Sequence, residues 1–142
     1  MKNAFTIFYT DDDQEDLEFF KEIIDTIDAD VNLVTQHNGT ELLHALHNPP
    51  PHPHLVFLDI NMPGMTGYEV LKEVRRSHQK LPVVMFSTSG DHDSISKSRE
   101  LGATFYLPKS GIFDQLKKSI EYALSINWGN FIPNDKNFVY SH

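Results

Sequence analysis

The stretch at residues 55–64, Leu-Val-Phe-Leu-Asp-Ile-Asn-Met-Pro-Gly, constrains the fold more than any other part of this sequence. Its first four residues are all apolar, which is typical of a strand buried on both faces, as in a parallel sheet. The Met-Pro-Gly string favours a turn, because proline cannot continue the hydrogen-bonded ladder of a sheet. Asp59 is therefore expected at the carboxyl end of a buried strand, where open α/β sheets place their binding and catalytic groups.

A short apolar strand followed by an amphipathic helix occurs five times along the chain. The predicted strands begin near residues 4, 31, 55, 82 and 104, so the repeated units have similar lengths. Five such units with right-handed crossovers predict an α/β fold with a doubly wound, five-stranded parallel sheet. We expect the flavodoxin-like strand order 2-1-3-4-5, which brings the ends of the first and third strands together at the switch point.

Local patterns also predict where helices begin and which faces they bury. The expected capping residues are Asp13, Asn38, Thr66 and Asp91. The first helix should end near Ile27, and its apolar residues recur at helical spacing. Phe19 and Ile23 widen that apolar stripe, so they either extend a broad buried face or form a partly exposed docking patch.

Composition excludes several classes of protein. A chain of 142 residues suits one domain, and its net charge of -8 argues against a nucleic acid or an anionic membrane as a direct partner. The lack of cysteine excludes disulfides, thiolate catalysis and zinc ribbons. The histidines in and around the proline-rich tract 48–54 match no known metal-ligand spacing, so a solvated loop is the simpler interpretation. With no signal segment and no apolar run of membrane-spanning length, we expect a soluble cytoplasmic protein.

The residues with chemical potential stand at the strand ends. These residues are Asp11 and Asp12 after the first strand, Asp59 after the third, Ser87 after the fourth and Lys109 after the fifth. Carboxylates that converge on one cleft repel each other by roughly 4 kcal/mol per close pair, so a cation must offset them. Oxygen ligands of this type favour Mg²⁺, and Lys109 adds a fixed positive charge. Such a cleft suits phosphoryl transfer, in which a carboxylate can itself be the nucleophile.

Together these motifs resemble the receiver domain of two-component response regulators. The resemblance rests on the paired aspartates, the string Leu-Asp-Ile-Asn-Met-Pro-Gly-Met-Thr-Gly at 58–67, the hydroxyl that closes the fourth strand, and Tyr-Leu-Pro-Lys at 106–109. It covers about residues 4–124. It implies a receiver domain at residues 1–126 and an aromatic-containing tail at 127–142, which is too short for an output domain.

The resemblance implies a role for each acidic residue of the site. Asp59 matches the phosphoacceptor, which takes a phosphoryl group from a histidine kinase or a phosphotransfer protein and is also one of the metal ligands. Asp12 matches the acid that binds Mg²⁺ or Mn²⁺ directly, and Asp11 matches its neighbour, which acts through a bound water. Asn61 matches the residue whose backbone carbonyl also binds the metal. The implied protein is a phosphoacceptor, and its only reactions are self-phosphorylation and autodephosphorylation.

The resemblance also implies how phosphorylation would change the surface that a downstream protein binds. Ser87 matches the hydroxyl that bonds the phosphoryl oxygen, Lys109 matches the lysine that pairs with it, and Tyr106 matches the aromatic switch that turns inward. A downstream protein is then expected to bind the face formed by the fourth helix, the fifth strand and the fifth helix. The lysine is usually followed by proline, often in a cis peptide bond, but here Ser110 follows. This departure puts the placement of Lys109 in question.

Other interpretations of the chain stay open from the sequence. Asp11-Asp12-Asp13 fits the Asp-x-Asp of haloacid-dehalogenase-like phosphatases, although Glu15 stands where that class has a hydroxyl. A degenerate receiver that acts only as a binding module is a second alternative. A flavin site is a poor fit, because three aspartates would repel the phosphate of the cofactor.

The tail at 127–142 allows two interpretations. Trp128 and Phe131 either pack back on the domain while the chain end frays, or they contact a partner or a second copy. The expected oligomeric state is a monomer or a weak dimer.

Overall fold

The computed structural model describes residues 5–27 and 30–141 of the chain. In these ranges five strands alternate with five helices. The elements are β1 (Phe5–Thr10), α1 (Gln14–Thr26), β2 (Val31–Gln36), α2 (Gly39–His47), β3 (Leu55–Asp59), α3 (Gly67–Ser77), β4 (Val83–Ser87), α4 (His92–Glu100), β5 (Phe105–Pro108) and α5 (Phe113–Ser125). The predicted start of β1 at Ala4 lies outside the described residues. None of these helices combines the length and the apolarity that a membrane crossing needs.

The strands form one parallel sheet in the order β2-β1-β3-β4-β5, which confirms the predicted topology. The register brings the carboxyl ends of the central strands to one level. Asp59 pairs with Phe86, and Ser87 pairs with Pro108. Because Thr10 pairs with Leu58, Asp11 follows β1 at the level of Asp59. The strand-end residues therefore share one edge of the sheet, as expected at a switch point.

Each face of the sheet carries its own apolar cluster. Phe20 of α1 and Ile120 of α5 pack on one face, and Leu42 of α2 and Val70 of α3 pack on the other. Ile23 is fully buried in the first of these clusters, so the docking-patch interpretation is wrong for this residue. Its burial follows from the width of the apolar stripe, which α1 needs in order to pack against both the sheet and α5.

Helix starts follow the predicted caps and place α3 against the site. The caps accept backbone hydrogen bonds through the side chains of Asp13, Asn38, Thr66 and Asp91. Gly67 lies at the first position of α3, where an added Cβ would stand 2.3 Å from the carbonyl oxygen of Asp59. Only glycine allows this approach without a shift of the backbone, so this position fixes α3 beside the end of β3.

The C-terminal tail packs back on the domain. Trp128 and Phe131 contact the ring of Phe105, which confirms the first interpretation of these aromatic residues. The predicted fraying of the end is wrong for residues 138–140. The backbone N–H of Tyr106 donates to the carbonyl of Phe138 at 2.8 Å, and Phe138 is only 2% exposed. The edge of β5 offers backbone groups that need partners, and this segment of the tail supplies them.

Candidate functional site

Three aspartates converge at the carboxyl edge of the sheet. Asp11, Asp12 and Asp59 each offer a carboxylate oxygen, and these oxygens lie within 4.8 Å of one another. Asp11 and Asp59 are buried, whereas Asp12 is exposed at the mouth of the cleft. The sequence-based prediction that the ends of the first and third strands meet is confirmed. Two of the three carboxylates are thus held largely away from water.

Hydrogen bonds fix the position of Asp11. Its Oδ2 accepts from the hydroxyl of Tyr9 at 2.6 Å and from Nζ of Lys109 at 2.7 Å. Its Oδ1 accepts from the backbone N–H of Asp13 at 3.0 Å. Burial, together with the charge of Asp11, raises the pKa of Tyr9, so the phenol stays protonated and remains a donor. Asp11 is therefore an anchored carboxylate, poorly suited to act as the nucleophile of a dehalogenase-like phosphatase.

Lys109 supplies positive charge to three carboxylates. Its Nζ lies 2.7 Å from Asp11, 2.9 Å from Asp16 and 3.3 Å from Asp59. An ammonium group has three donors, so these contacts use its full capacity. Burial alone would lower the pKa of Lys109, but the hydrogen bonds that its ammonium donates to Asp11 and Asp16 outweigh burial and raise this pKa. The lysine therefore remains charged at any working pH.

Asp59 has a strongly perturbed pKa. Burial raises the pKa of its carboxyl group from 3.8 to about 7; the charge of Lys109 acts in the opposite direction, and the charge of Asp11 adds to the rise. Near neutral pH the group is consequently divided between its two protonation states. A cation bound beside it would favour the ionised form.

The composition of the cleft fits a hard divalent cation. Five carboxylates face a single ammonium in this cleft, which is lined by Asp11, Asp12, Asp13, Asp16, Asp59, Asn61, Thr88 and Lys109. This excess of negative charge needs a counter-charge, and carboxylate oxygens with room for water are the ligands that Mg²⁺ takes. Asp12 and Asn61 are exposed at the cleft, so they can reach an ion that keeps part of its hydration shell.

The structure places Ser87, the predicted hydroxyl residue, at the end of β4. Ser87 is fully buried, and its hydroxyl accepts a hydrogen bond from the backbone N–H of Ser89 at 3.1 Å. The exposed residue that lines the cleft here is Thr88. Tyr106 is fully buried, and its hydroxyl donates to the carbonyl of Ser89. The aromatic residue of β5 is thus already turned inward and is tied to the loop after β4.

The loop after β5 accommodates Ser110 without displacing Lys109. Within residues 5–27 and 30–141 the cis peptide bonds are Pro49–Pro50 and Pro50–Pro51, so the bond between Lys109 and Ser110 is trans. The Ser110 hydroxyl accepts from the backbone N–H of Ile112 at 3.1 Å and donates to Gln115 at 3.0 Å. These bonds form a local serine turn that joins the loop to the start of α5, a role for which proline has no hydroxyl.

One charged residue of the site was missed by the sequence analysis. Asp16 was noted only as an acidic residue in the first turn of α1, but its carboxylate reaches Lys109 across the cleft. The spacing offers a clue, since Asp16 immediately precedes the buried Leu17 and stands three residues after the cap Asp13. A side chain at that position on α1 flanks the face that packs on the sheet.

Comparison with known proteins identifies the family. A model of the response regulator receiver domain family matches residues 7–121. The response regulator Rcp1 of Synechocystis sp. is 30% identical over 122 residues, which cover 81% of this chain and 83% of that protein. The crystal structure of the phosphorylated cyanobacterial phytochrome response regulator RcpA superposes with a TM-score of 0.77 at 28% identity, covering 92% of this chain and 98% of that one.

Larger proteins match over part of their length. The DNA-binding transcriptional regulator NtrC of Escherichia coli is 35% identical over 97 residues, which are 68% of this chain and 20% of NtrC. The chain therefore spans about a fifth of this relative. Because the family model matches residues 7–121 and Rcp1 is matched over four fifths of both proteins, this chain belongs to the response regulator receiver domain family.

Proposed function

We propose that Asp59 accepts a phosphoryl group from the phosphohistidine of a histidine kinase or a phosphotransfer protein, in the cytoplasm. An oxygen of the Asp59 carboxylate would form the new P–O bond while the P–N bond of phosphohistidine breaks and the imidazole keeps the electron pair. The observation that carries this proposal is the meeting of Asp59 with Lys109 at 3.3 Å, beside two further carboxylates. The ammonium would stabilise the charge of the transferred group.

The cation in this proposal is Mg²⁺ or Mn²⁺. Asp12 and Asp59 would bind it directly, Asp11 would act through a bound water, and the backbone carbonyl of Asn61 would complete the protein ligands. The exposure of Asp12 and the hydrogen bonds that already occupy Asp11 support this division of roles. Rcp1, to which the chain is similar, has been crystallised in a Mn²⁺-bound form. The bound cation would neutralise charge and orient the phosphoryl donor.

The output would follow from a local rearrangement at the end of β4. The hydroxyl of Ser87 would donate to a phosphoryl oxygen beside Lys109, and the loop that holds Tyr106 through Ser89 would move with it. This changes the surface of α4, β5 and α5, where a downstream protein would bind the receiver, which we expect to be a monomer or a weak dimer. Residues 138–140 lie on the edge of β5, so they belong to this surface.

The test uses acetyl phosphate as the donor and intact-protein mass spectrometry as the readout. Wild type with Mg²⁺ should gain one phosphoryl group and lose it again by hydrolysis, whereas chelation of the metal or Asp59→Asn should prevent the gain. Asp25→Asn, an equal change of charge at an exposed position of α1, should behave like wild type. A gain that survives Asp59→Asn would contradict the proposal. Turnover of phosphate esters that depends on Asp11 would favour the phosphatase instead.

A further inference from the structure

Asp16 forms an ion pair with Lys109, but the proposed function gives this carboxylate no role. It lies in the first turn of α1, and its Oδ2 accepts a hydrogen bond from Nζ of Lys109 at 2.9 Å. The side chain of Asp16 is 40% exposed, whereas that of Lys109 is 11% exposed. The ion pair is therefore reached by water on the Asp16 side and sheltered on the side of the sheet.

The three contacts of Lys109 differ in length. The ammonium lies closer to Asp11 and Asp16, at 2.7 and 2.9 Å, than to Asp59, at 3.3 Å. Because a lysine ammonium is a compact charge on a flexible stem, its position depends on the balance among these partners. If the attraction to the Asp16 carboxylate were lost, the ammonium would move toward the two remaining carboxylates, those of Asp11 and Asp59. It would then compete more strongly with a cation for Asp59.

We propose that Asp16 is a positioning residue that holds the Lys109 ammonium toward α1 and so keeps the Asp59 carboxylate available to the divalent cation. Asp16 touches neither the cation nor the reacting atoms in this account. It acts only through Lys109, and its effect should vanish when the lysine is removed. The inference rests on the proposed function only for the identity of the cation and of the phosphoacceptor.

The first experiment measures Mg²⁺ affinity by isothermal titration calorimetry on the whole chain. Asp16→Asn keeps the size of the side chain and removes its charge, and we expect Mg²⁺ to bind about twofold to fivefold more weakly, as befits a half-exposed ion pair. Asp16→Glu keeps the charge and should restore most of the affinity. Equal affinities of wild type and Asp16→Asn would overturn the proposal.

A matched control distinguishes the positioning role of Asp16 from a long-range electrostatic effect of its charge on the bound cation. Glu15→Gln removes the same charge one residue away, at an exposed position in the same turn of α1. Its effect on Mg²⁺ affinity should be clearly smaller than that of Asp16→Asn. If the two variants weaken binding equally, the effect comes from the overall field of the cleft, and the positioning role is refuted.

A double-mutant cycle gives the decisive readout. Lys109→Met should raise the Mg²⁺ affinity by removing the competitor, and Asp16→Asn should have no further effect in that background. An undiminished effect of Asp16→Asn without the lysine would show that Asp16 acts on the metal by another route. Circular dichroism of each variant establishes that it is folded before titration.

The cycle also distinguishes this inference from the proposed function. If wild type binds Mg²⁺ with the predicted coupling but gains no phosphoryl group from acetyl phosphate, then the proposed function fails and the positioning role stands. If wild type is phosphorylated on Asp59 and the cycle shows no coupling, then only the positioning role fails.

Discussion

Replacing Asp59 by asparagine should stabilise the protein in the absence of metal. Asp59 is 4% exposed, and burial raises the pKa of its carboxyl group from 3.8 to about 7. A raised pKa means that the folded state binds a proton more tightly than the unfolded state does. The group therefore favours folding fully below about pH 4, and this contribution is lost as the pH rises toward 7 and beyond. Asparagine is neutral at every pH and has no such loss.

The size of the effect follows from the pKa. A rise from 3.8 to about 7 corresponds to at most about 4 kcal/mol of unfolding free energy at pH 8. At pH 5 the carboxyl group of the unfolded state is already mostly ionised, so part of this loss of unfolding free energy is present at that pH. The difference in stability between Asp59→Asn and wild type should consequently grow by about 2–3 kcal/mol between pH 5 and pH 8.

Urea unfolding at both pH values with a metal chelator measures this growth directly. Asp25→Asn serves as the control, because it removes the same charge at an exposed position of α1 and leaves the buried site intact. Saturating Mg²⁺ should stabilise wild type at pH 8 more than the variant, since the cation favours the ionised carboxylate. If the stability of Asp59→Asn relative to wild type does not increase between pH 5 and pH 8, then burial does not disfavour the ionised form of Asp59, and the reasoning is refuted.

Two further substitutions test the packing around the site and the tail. Gly67→Ala should lower the unfolding free energy by about 3 kcal/mol, because its Cβ would stand 2.3 Å from the Asp59 carbonyl oxygen. Gly111→Ala, where an added Cβ meets nothing within 4 Å, should be nearly neutral in the same urea titration. Phe138→Ala should cost about 3 kcal/mol and speed amide hydrogen exchange at Tyr106. Ile132→Ala, at a tail position that is 78% exposed, should change neither measurement.

The sheet was predictable because its strands carry strong local patterns. The residues of β3 and β4 are all buried, so a continuous apolar run was sufficient to locate them. The chain length between the strands and the handedness of crossovers predicted a doubly wound parallel sheet. The order 2-1-3-4-5 was a further expectation, based on the flavodoxin-like arrangement, and the structure confirms it. Since parallel strands end at the same edge, the approach of Asp59 to Asp11 and Lys109 could be predicted without any side-chain detail.

Contacts that depend on side-chain direction could not be predicted in the same way. The ion pair of Asp16 with Lys109 joins residues 93 positions apart, and no local pattern indicates which of the acids in the first turn of α1 points into the cleft. The pairing of the tail with β5 also lacks a strand pattern, because it consists of one bridge between Tyr106 and Val139. Such a bridge depends on the free edge of β5, which is a property of the assembled sheet.

A single imbalance of charge connects the main features of the site. Five carboxylates share one ammonium, so Lys109 is drawn to three of them and its pKa rises despite its burial. Asp59 has the longest of these three contacts and is the carboxylate whose pKa rises to about 7. A divalent cation removes the same imbalance by adding positive charge where the lysine does not reach. Asp59, the proposed phosphoacceptor, is thus a carboxylate whose charge state responds to what binds beside it.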